Sequence, residues 1–329
     1  MQKRLLLPFI ILSSSLVMAQ NSKYILAVDE YVPAPGQYIN VLPEYCEGDT
    51  PQTMALRCTD AIANNAGHLV SLGAWGGYIT FHFDHPIVNI SGQYDLYIQG
   101  NAIEGSSEAG IVCVSQDQNH NGLPDDPWFE ISGSADYDAA EIRYDFEVTY
   151  MYTEPLSDIA WSDNLGTSGM VKRNSFHQQE YFPLWMDDSA LTFRGTRLPD
   201  NAEDSSGNGA YWVLHPFEYG YVDNLPNKDT LGCSINLDWA VDPITRQHIE
   251  LQHIDFVRVY TALNQDAGWL GETSTEISGA IDLHPDAEVS LQTINDHLEQ
   301  PLYYDLFGRT IRSQHSNYKL LLNHKIILL

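Results

Sequence analysis

The chain has 329 residues and carries 44 Asp and Glu against 16 Lys and Arg, a formal net charge of −28. Because contacts to phosphate need Lys and Arg, this balance argues against a nucleic-acid-binding protein. The acidic excess suits a secreted, cation-binding protein, or serves solubility alone. The length is enough for one large β domain or two small ones.

The N-terminal residues predict a cleaved signal peptide over residues 1–19. Lys3 and Arg4 precede an apolar stretch at 5–17, which is too short to span a bilayer, and Ala19 ends a cleavage motif. No later segment has the long uncharged apolar run of a transmembrane helix, and no cysteine follows the cut to take a lipid. The sequence therefore predicts export across the inner membrane, to the cell surface or the medium.

Apolar and polar residues alternate along most of the chain. The alternation predicts half-buried strands at 79–83, 94–98, 144–150 and 235–241, with a further strand near 24–28. Helical periodicity is confined to 53–65 and to a single turn at 139–142. Many short strands with few helices predict an all-β, antiparallel β-sandwich or jelly roll over residues 20–285. Residues 286–329 are predicted to be a linker and a small C-terminal β-module.

The four cysteines divide into two kinds by their surroundings. Cys46 and Cys58 lie close together in a polar region, and export permits a disulfide between them. Cys113 and Cys233 lie in apolar runs and are predicted to be small core residues.

The stretch 117–126 is predicted to bind Ca²⁺. Short oxygen-bearing side chains fall at alternate positions, Gly122 follows where the chain must turn, and two carboxylates come next. Trp128 occupies the position at which an EF-hand needs a bidentate Glu, so the loop is not an EF-hand and is expected to join strands. The alternative is an Asx-rich turn closed by its own side chains without metal. The predicted ligands are Asp117, Asn119, Asn121, Asp125 and Asp126.

Other polar stretches offer weaker candidates. Residues 200–208 predict either a second cation loop or a plain polar loop, and the His-rich stretch at 82–85 favours an exposed strand face over a zinc site. Glu272 and Glu276 are expected to cap the domain or to donate a carboxylate to the 117–126 loop. Trp161 and Trp185 are expected either to stack on a ligand or to cover the sandwich edges.

Five stretches resemble an uncharacterised, PKD-domain-like family of secreted or cell-surface proteins of Bacteroidota: 69–78, 117–128, 219–224, 254–260 and 268–276. The resemblance implies a β-sandwich surface protein. It also keeps a corrinoid among the candidate ligands, because some relatives accompany cobalamin-uptake proteins.

The tail is similar to the C-terminal sorting module of the type IX secretion system in the same phylum. Tyr304, Leu306, Gly308 and Arg309 match the Tyr-x-Leu-x-Gly-Arg core of that module. This similarity implies that export machinery acts on the tail. The alternative is a terminal hairpin that packs on the main domain.

No catalytic motif stands out, since no Gly-x-Ser-x-Gly occurs and an acidic pair cannot be picked from 44 carboxylates. The leading prediction is a non-catalytic, calcium-stabilised sandwich that binds a glycan or another small extracellular molecule. The alternatives are a glycan-active hydrolase with a carboxylate pair, and a purely structural surface protein. Two carboxylates in a deep cleft, one with a raised pKa, favour the enzyme, whereas a shallow aromatic patch favours binding.

Overall fold

A computed structural model of the chain describes residues 20–138 and 141–288, and the backbone of short strands within 303–328. The predicted signal segment 1–19 and most of the sorting-like motif at 304–309 lie outside the described residues. Contacts divide the chain into two units, Met1–Glu288 and Val289–Leu329, each described here by itself.

Short strands are the main regular structure in the described residues of the first unit. Its helices are α1 (Pro51–Ile62) and α2 (Ala135–Asp138), with 3₁₀ turns at Ala63–Asn65, Leu237–Trp239 and Gly268–Leu270. Its strands are β1 (Ala27–Val32), β2 (Val70–Ser71), β3 (Tyr78–Val88), β4 (Leu96–Gln99), β5 (Gly110–Ser115), β6 (Trp128–Ile131), β7 (Arg143–Met151), β8 (Ile159–Asp163), β9 (Ser168–Val171), β10 (Ala190–Arg197), β11 (Ala202–Asp204), β12 (Trp212–Leu214), β13 (Ser234–Ile235), β14 (Ala240–Val241), β15 (His253–Thr261), β16 (Glu276–Ile277) and β17 (Gly279–Asp282).

The strands form antiparallel sheets, which confirms the prediction of an all-β sandwich. The largest sheet has the order β1-β3-β15-β5-β6-β14, and a second has the order β10-β7-β8-β9. A three-stranded sheet, β13-β4-β17, and the short pairs β11-β12 and β16-β2 complete the unit. Apart from β5 and β6, which a single loop joins, neighbours in the largest sheet are far apart in sequence, so the fold depends on long-range pairing.

One face of the largest sheet packs against α1 and buries the main core. Ile79, Phe81 and Phe83 alternate along β3 and are at most 4% exposed. Helix α1 begins at a reciprocal capping box, in which Thr50 and Thr53 each accept a hydrogen bond from the other's backbone N–H. Its buried side chains recur at helical spacing, so one stripe faces the sheet: Met54, Ala55, Cys58, Ala61 and Ile62.

The four-stranded sheet encloses a second core around Trp75, which is completely buried. Phe146 lies edge-on to Trp75 with ring centroids 4.9 Å apart, and the Tyr150 hydroxyl donates to the Trp75 carbonyl at 2.9 Å. Gly76 follows with φ +89, and a Cβ there would meet Phe193 Cβ at 2.4 Å. The Trp75 turn is therefore fixed from both sides by packing.

Most of the predicted elements are found, and one is wrong. Stretches 79–83, 94–98 and 144–150 fall in or overlap β3, β4 and β7, and 53–65 contains α1 and the following 3₁₀ turn. The stretch 235–241 is not one strand, because Leu237–Trp239 forms a 3₁₀ turn between β13 and β14. Asn236 caps that turn by accepting from the Asp238 N–H, and Asp95 accepts from the Leu237 N–H at 2.9 Å. The single turn expected at 139–142 is preceded by α2, and residues 139–140 lie outside the described residues.

The expected disulfide between Cys46 and Cys58 is not formed, and all four thiols are free. Cys58 points from α1 into the main core and is 0% exposed, whereas Cys46 is exposed at the surface. Cys233 is buried as expected, with its thiol 3.3 Å from the Leu225 carbonyl oxygen, and Cys113 is half-buried on β5.

The described residues of the second unit form four short strands, β18 (Tyr303–Tyr304), β19 (Thr310–Ile311), β20 (Lys319–Leu322) and β21 (Lys325–Leu328). They form one sheet in the order β19-β18-β21-β20, in which β18 and β21 run parallel. Across the described part of the chain, no helix is both long enough and apolar enough to cross a membrane.

Candidate ligand-binding cleft

A cleft of about 560 Å³ opens in the first unit, where the segment after β1 meets the segments before β5 and before β16. Its lining includes the carboxyl groups of Glu108, Glu272 and Glu276. No Lys or Arg is found among the described residues that line it. We call it the acidic cleft.

Glu276 is held at the buried side of the acidic cleft by strand pairing. It lies opposite Ser71 in the β16-β2 pair and is 4% exposed, while its neighbour Ile277 enters the main core. Its Oε1 accepts hydrogen bonds from the hydroxyls of Ser71 at 2.9 Å and Ser274 at 2.8 Å. The same two hydroxyls are 2.8 Å apart, so the carboxyl group has a fixed orientation.

Asp223 lies behind Glu276 and is satisfied by backbone donors. Its Oδ1 accepts from the N–H groups of Asn101 at 2.7 Å and Ala102 at 2.8 Å, and its Oδ2 accepts from the Glu276 N–H at 2.9 Å. Asp223 itself adopts a left-handed conformation with φ 51, which costs a non-glycine residue about 1 kcal/mol. These three bonds offset that cost and tie together chain segments that are distant in sequence.

Glu108, Asp223 and Glu276 form a compact acidic group, in which one carboxyl oxygen of each residue lies within 4.8 Å of those of the other two. Within the described part of the chain, this is the one group of three or more His, Cys, Asp or Glu residues whose ligand atoms come so close together. A carboxyl oxygen of Glu108 lies within 4.8 Å of one of Glu276, so two ionised groups would repel each other and a proton on either one relieves that repulsion. The Ser274 N–H also donates to Glu108. Asp223 does not line the cleft, so Glu108 and Glu276 are the members available to a ligand.

Glu272 joins the acidic cleft from the segment after the 3₁₀ turn Gly268–Leu270. Its Oε1 accepts from the Gln37 N–H at 2.6 Å, and the Gln37 amide in turn donates to the Leu270 carbonyl at 2.8 Å. A Cβ at Gly36 would lie 2.9 Å from the same Oε1, so a glycine is needed for this approach. The other oxygen, Oε2, is buried and has no hydrogen-bond partner.

Burial raises the pKa of every carboxyl group in this cluster. The pKa of Glu276 rises to about 8 through burial and then through the nearby charge of Asp223. Burial raises the pKa of Glu272 to about 7 and that of Asp223 to about 6, and it holds the pKa of Glu108 well above its usual value. Near neutral pH, protons on these carboxyl groups therefore reduce the negative charge that positively charged side chains would otherwise have to balance.

Aromatic side chains form the exposed part of the lining. Trp269 is 52% exposed and Phe176 is 74% exposed, although both belong to the wall of a cleft. The Tyr38 hydroxyl lies 2.8 Å from Nε2 of His177, and the two rings are edge-to-face with centroids 4.6 Å apart. The acidic cleft therefore combines exposed ring faces with hydrogen-bonding carboxyl groups.

A second cavity of about 100 Å³ shares Glu272 and Thr273 with the acidic cleft. Trp75 and Trp161 also line it, and the Nε1 of Trp75 is buried without a partner. Trp185 is only 5% exposed and stacks on Tyr31 with centroids 5.5 Å apart. Trp161 and Trp185 thus pack within the sandwich.

The predicted calcium loop joins β5 to β6 at the surface, and none of its residues 117–126 belongs to the lining of the acidic cleft. Asp117 accepts from the N–H groups of Asn121 at 3.1 Å and Gly122 at 2.8 Å, and Gly122 has φ 74. The Asp117 N–H in turn donates to Asp255 at 2.8 Å. The loop thus has the sharp glycine turn that its sequence predicted.

Three of the five predicted ligands, Asn119, Asn121 and Asp125, contact one another within this loop. The side-chain amides of Asn119 and Asn121 donate to the Asp125 carboxylate at 3.1 and 3.0 Å, and Asp126 accepts from the Gln118 N–H at 3.0 Å. The donor set of two amides and three carboxylates suits a hard cation, which prefers oxygen ligands. The same contacts also describe a turn closed by its own side chains, which was the stated alternative.

The remaining candidates resolve into local contacts. Asp204 in the 200–208 stretch accepts from the N–H groups of Ser206, Gly207 and Gly209. His82 bonds to Asp29 at 2.8 Å, while His85 bonds to Asp84 and Asp282 at 2.6 and 2.7 Å, so the two histidines have different partners. The expectation that Glu276 donates to the 117–126 loop is wrong, because β16 places it in the acidic cleft.

The sequence singles out Glu272 and Glu276 but does not bring them together with the other residues of the acidic cleft. The missing partners, Glu108 and Asp223, lie in separate connecting segments and look like any other acidic residue. A local signal existed in the Thr-Ser-Thr run at 273–275, since hydroxyls beside a Glu on an inward strand often bond to it. No protein-family model matches the chain, and no curated protein matches it.

Proposed function

We propose that this protein is an exported, non-catalytic binding protein whose acidic cleft takes a glycan or another small extracellular molecule. The observation that carries this proposal is the pairing of exposed Trp269 and Phe176 with buried carboxyl groups in one cleft. Ligand sites are typically clefts of about 300–1,000 Å³ with apolar walls and a few fixed polar groups, and this cleft is of that kind.

The exposed aromatic part of the cleft would stack on the ligand, and the buried carboxyl groups would hydrogen-bond to it. An aromatic ring buries a flat apolar face at little entropic cost, so Trp269 suits the face of a sugar or another planar ligand. Carboxyl oxygens accept from ligand hydroxyl or amine groups, and Glu276 is held by two hydroxyls in a fixed orientation.

A binding screen on the mature protein tests this proposal. The panel holds neutral and aminated oligosaccharides together with a corrinoid, and affinity is measured by calorimetry. Trp269→Ala is expected to weaken binding of any hit by about tenfold or more, the scale of a lost stacking partner. Tyr137→Ala is the matched control, because Tyr137 is 78% exposed and does not line the acidic cleft. Equal loss in both variants, or no hit at all, contradicts the proposal.

We further propose that Ca²⁺ binds the 117–126 loop and stabilises the fold. Support comes from the spacing of five oxygen-bearing side chains in one exposed turn, of which Asn119, Asn121 and Asp125 contact one another. A cation that binds only the folded loop adds to the free energy of unfolding by mass action. Asp117, Asn119, Asn121, Asp125 and Asp126 would hold the ion.

Thermal unfolding with Ca²⁺ and then with a chelator tests the calcium proposal. The melting temperature is expected to fall on chelation in the parent, and calorimetric calcium uptake is expected to disappear in the double variant Asp117→Ala, Asp125→Ala. Asp163→Ala is the control, since Asp163 closes a comparable turn by accepting from the Leu165 and Thr167 N–H groups. Calcium uptake in the double variant equal to that of the parent would end the proposal.

A glycan hydrolase is the second candidate, because three carboxyl groups with raised pKa line the acidic cleft. Hydrolysis by two carboxyls needs one that stays ionised while the other carries a proton, so their environments must push the pKa values apart. Here burial pushes all three in the same direction, which is why binding is preferred. Release of reducing sugar that disappears in Glu272→Gln or Glu276→Gln would reverse the preference.

Kinship with the Bacteroidota surface proteins and type IX export through the tail are also proposals. They rest on the sequence stretches 69–78, 254–260 and 304–309. Secretion of the full chain compared with a chain truncated after residue 288 tests the role of the tail. Equal secretion of both forms would remove it.

A further inference from the structure

We propose that the ligand of the acidic cleft carries a positively charged organic group, such as the ammonium of an aminated sugar, which binds between the carboxyl groups and the aromatic rings. This inference rests on the proposed binding function and adds the charge of the ligand to it. It implies that neutral and anionic molecules of the same size bind more weakly.

The charge balance of the cleft is the first argument. Its described lining holds three carboxyl groups and no Lys or Arg. The one histidine of that lining, His177, bonds to Tyr38 at 2.8 Å. Burying several carboxylates without a counter-charge is costly, so protons take that place when no ligand is bound, and burial accordingly raises the pKa of Glu272 and Glu276. A cationic ligand would supply the missing charge and release those protons.

Unused hydrogen-bonding capacity is the second argument. Glu272 Oε2 is buried and unpartnered, although Oε1 of the same group is fixed by the Gln37 N–H. Buried polar atoms are nearly always paired, and an ammonium group with three N–H donors could pair this oxygen together with Glu108 or Glu276. Both of these glutamates line the same cleft, and a cation beside them would displace the protons that burial favours on their carboxyl groups.

The aromatic lining favours an organic cation over a bare metal ion. A cation within about 6 Å of a ring face is attracted to it, and Trp is the strongest partner. Trp269 and Phe176 present such rings on the exposed part of the wall. A Ca²⁺ ion takes six to eight oxygen ligands, whereas the lining of the cleft holds three carboxyl groups and does not include Asp223.

The test uses the mature protein and three oligosaccharides of equal length: a glucosamine oligomer, its N-acetylated form and a glucose oligomer. Calorimetry at a pH where the amine is charged is expected to show about tenfold tighter binding of the aminated oligomer, the scale of one ion pair with a ring contact. Proton release on binding is expected when the titration is repeated in buffers of different ionisation heat. Glu272→Gln is expected to remove most of the preference for the amine.

The outcomes separate this inference from the proposed function. Binding of the neutral or N-acetylated oligomer as tight as that of the aminated one overturns the inference and leaves a binding protein. No binding of any member of the wider screen overturns both. The inference is also overturned if calcium competes with the aminated oligomer and its binding is lost in Glu272→Gln. That result would identify a metal ion, and not an organic cation, as the ligand of the cleft. Because the comparison of oligomers needs only the parent protein, it does not depend on the folding of a variant.

Discussion

The substitution Glu276→Gln should flatten the dependence of stability on pH. Glu276 is 4% exposed, and burial raises its pKa to about 8 in the folded chain. The unfolded chain releases this proton near pH 4 to 5, whereas the folded chain keeps it up to about pH 8. Between those values each rise in pH favours the unfolded state, so stability falls as pH rises and levels off above the folded pKa.

The expected size of this effect follows from the shift. One group contributes about 1.4 kcal/mol per pH unit within that window, so the parent should lose on the order of 2–4 kcal/mol between pH 5 and pH 8 because of Glu276. In a domain of about 150–250 residues this corresponds to a fall in melting temperature on the order of 5–10 °C. The charge of Glu276 also acts on its neighbours, because it raises the pKa of Glu108, Tyr31 and Tyr38.

Urea unfolding at pH 5, 6, 7 and 8 measures the effect in the parent and in Glu276→Gln. The glutamine keeps an oxygen to accept from Ser71 and Ser274 but cannot ionise. Glu47→Gln is the control, because Glu47 is exposed and the charge change is the same. A parent slope that persists unchanged in Glu276→Gln would refute the reasoning about the cluster.

Two further substitutions test how the cleft and the sheet are supported. Gly100→Ala would place a Cβ 2.2 Å from Asp223 Oδ1, so we expect the free energy of unfolding to fall by about 1–3 kcal/mol and ligand binding to weaken. Urea unfolding measures the change, and unaltered stability would contradict the packing described. Arg258→Lys removes a guanidinium that lies 4.4 Å from the Tyr78 ring centroid and 4.2 Å from that of Trp128. We expect the free energy of unfolding to fall by about 1 kcal/mol in the same assay, with no change in ligand affinity.

The strands that sequence predicts best are those whose side chains alternate between core and solvent. Along β7, Phe146, Val148 and Tyr150 are buried at every second position, which is the pattern that the sequence shows. The stretch 235–241 shows the same pattern but turns, because Asn236 and Asp95 bond to backbone N–H groups there. Alternation shows which side chains are apolar, but it does not show where a polar side chain takes a backbone N–H that a strand would otherwise use.

The calcium loop and the acidic cleft also differ in how much of each is visible in the sequence. The 117–126 loop draws its oxygens from one short stretch, so their spacing is visible in the sequence. The acidic cleft collects Glu108, Asp223 and Glu276 from segments that come together only through the pairing of β16 with β2 and the bonds that Asp223 makes. Nothing in the local sequence marks such a group, because burial, which changes the chemistry of a carboxyl group, is a property of the folded chain.

Hydrogen–deuterium exchange of the mature protein, with and without the glucosamine oligomer, is the most direct test of the acidic cleft as the ligand site. The account predicts slower exchange at 267–276 and at 106–108, where the chain lines the cleft. Protection confined to other segments, in the presence of saturating oligomer, would show that the ligand binds elsewhere and would contradict the account.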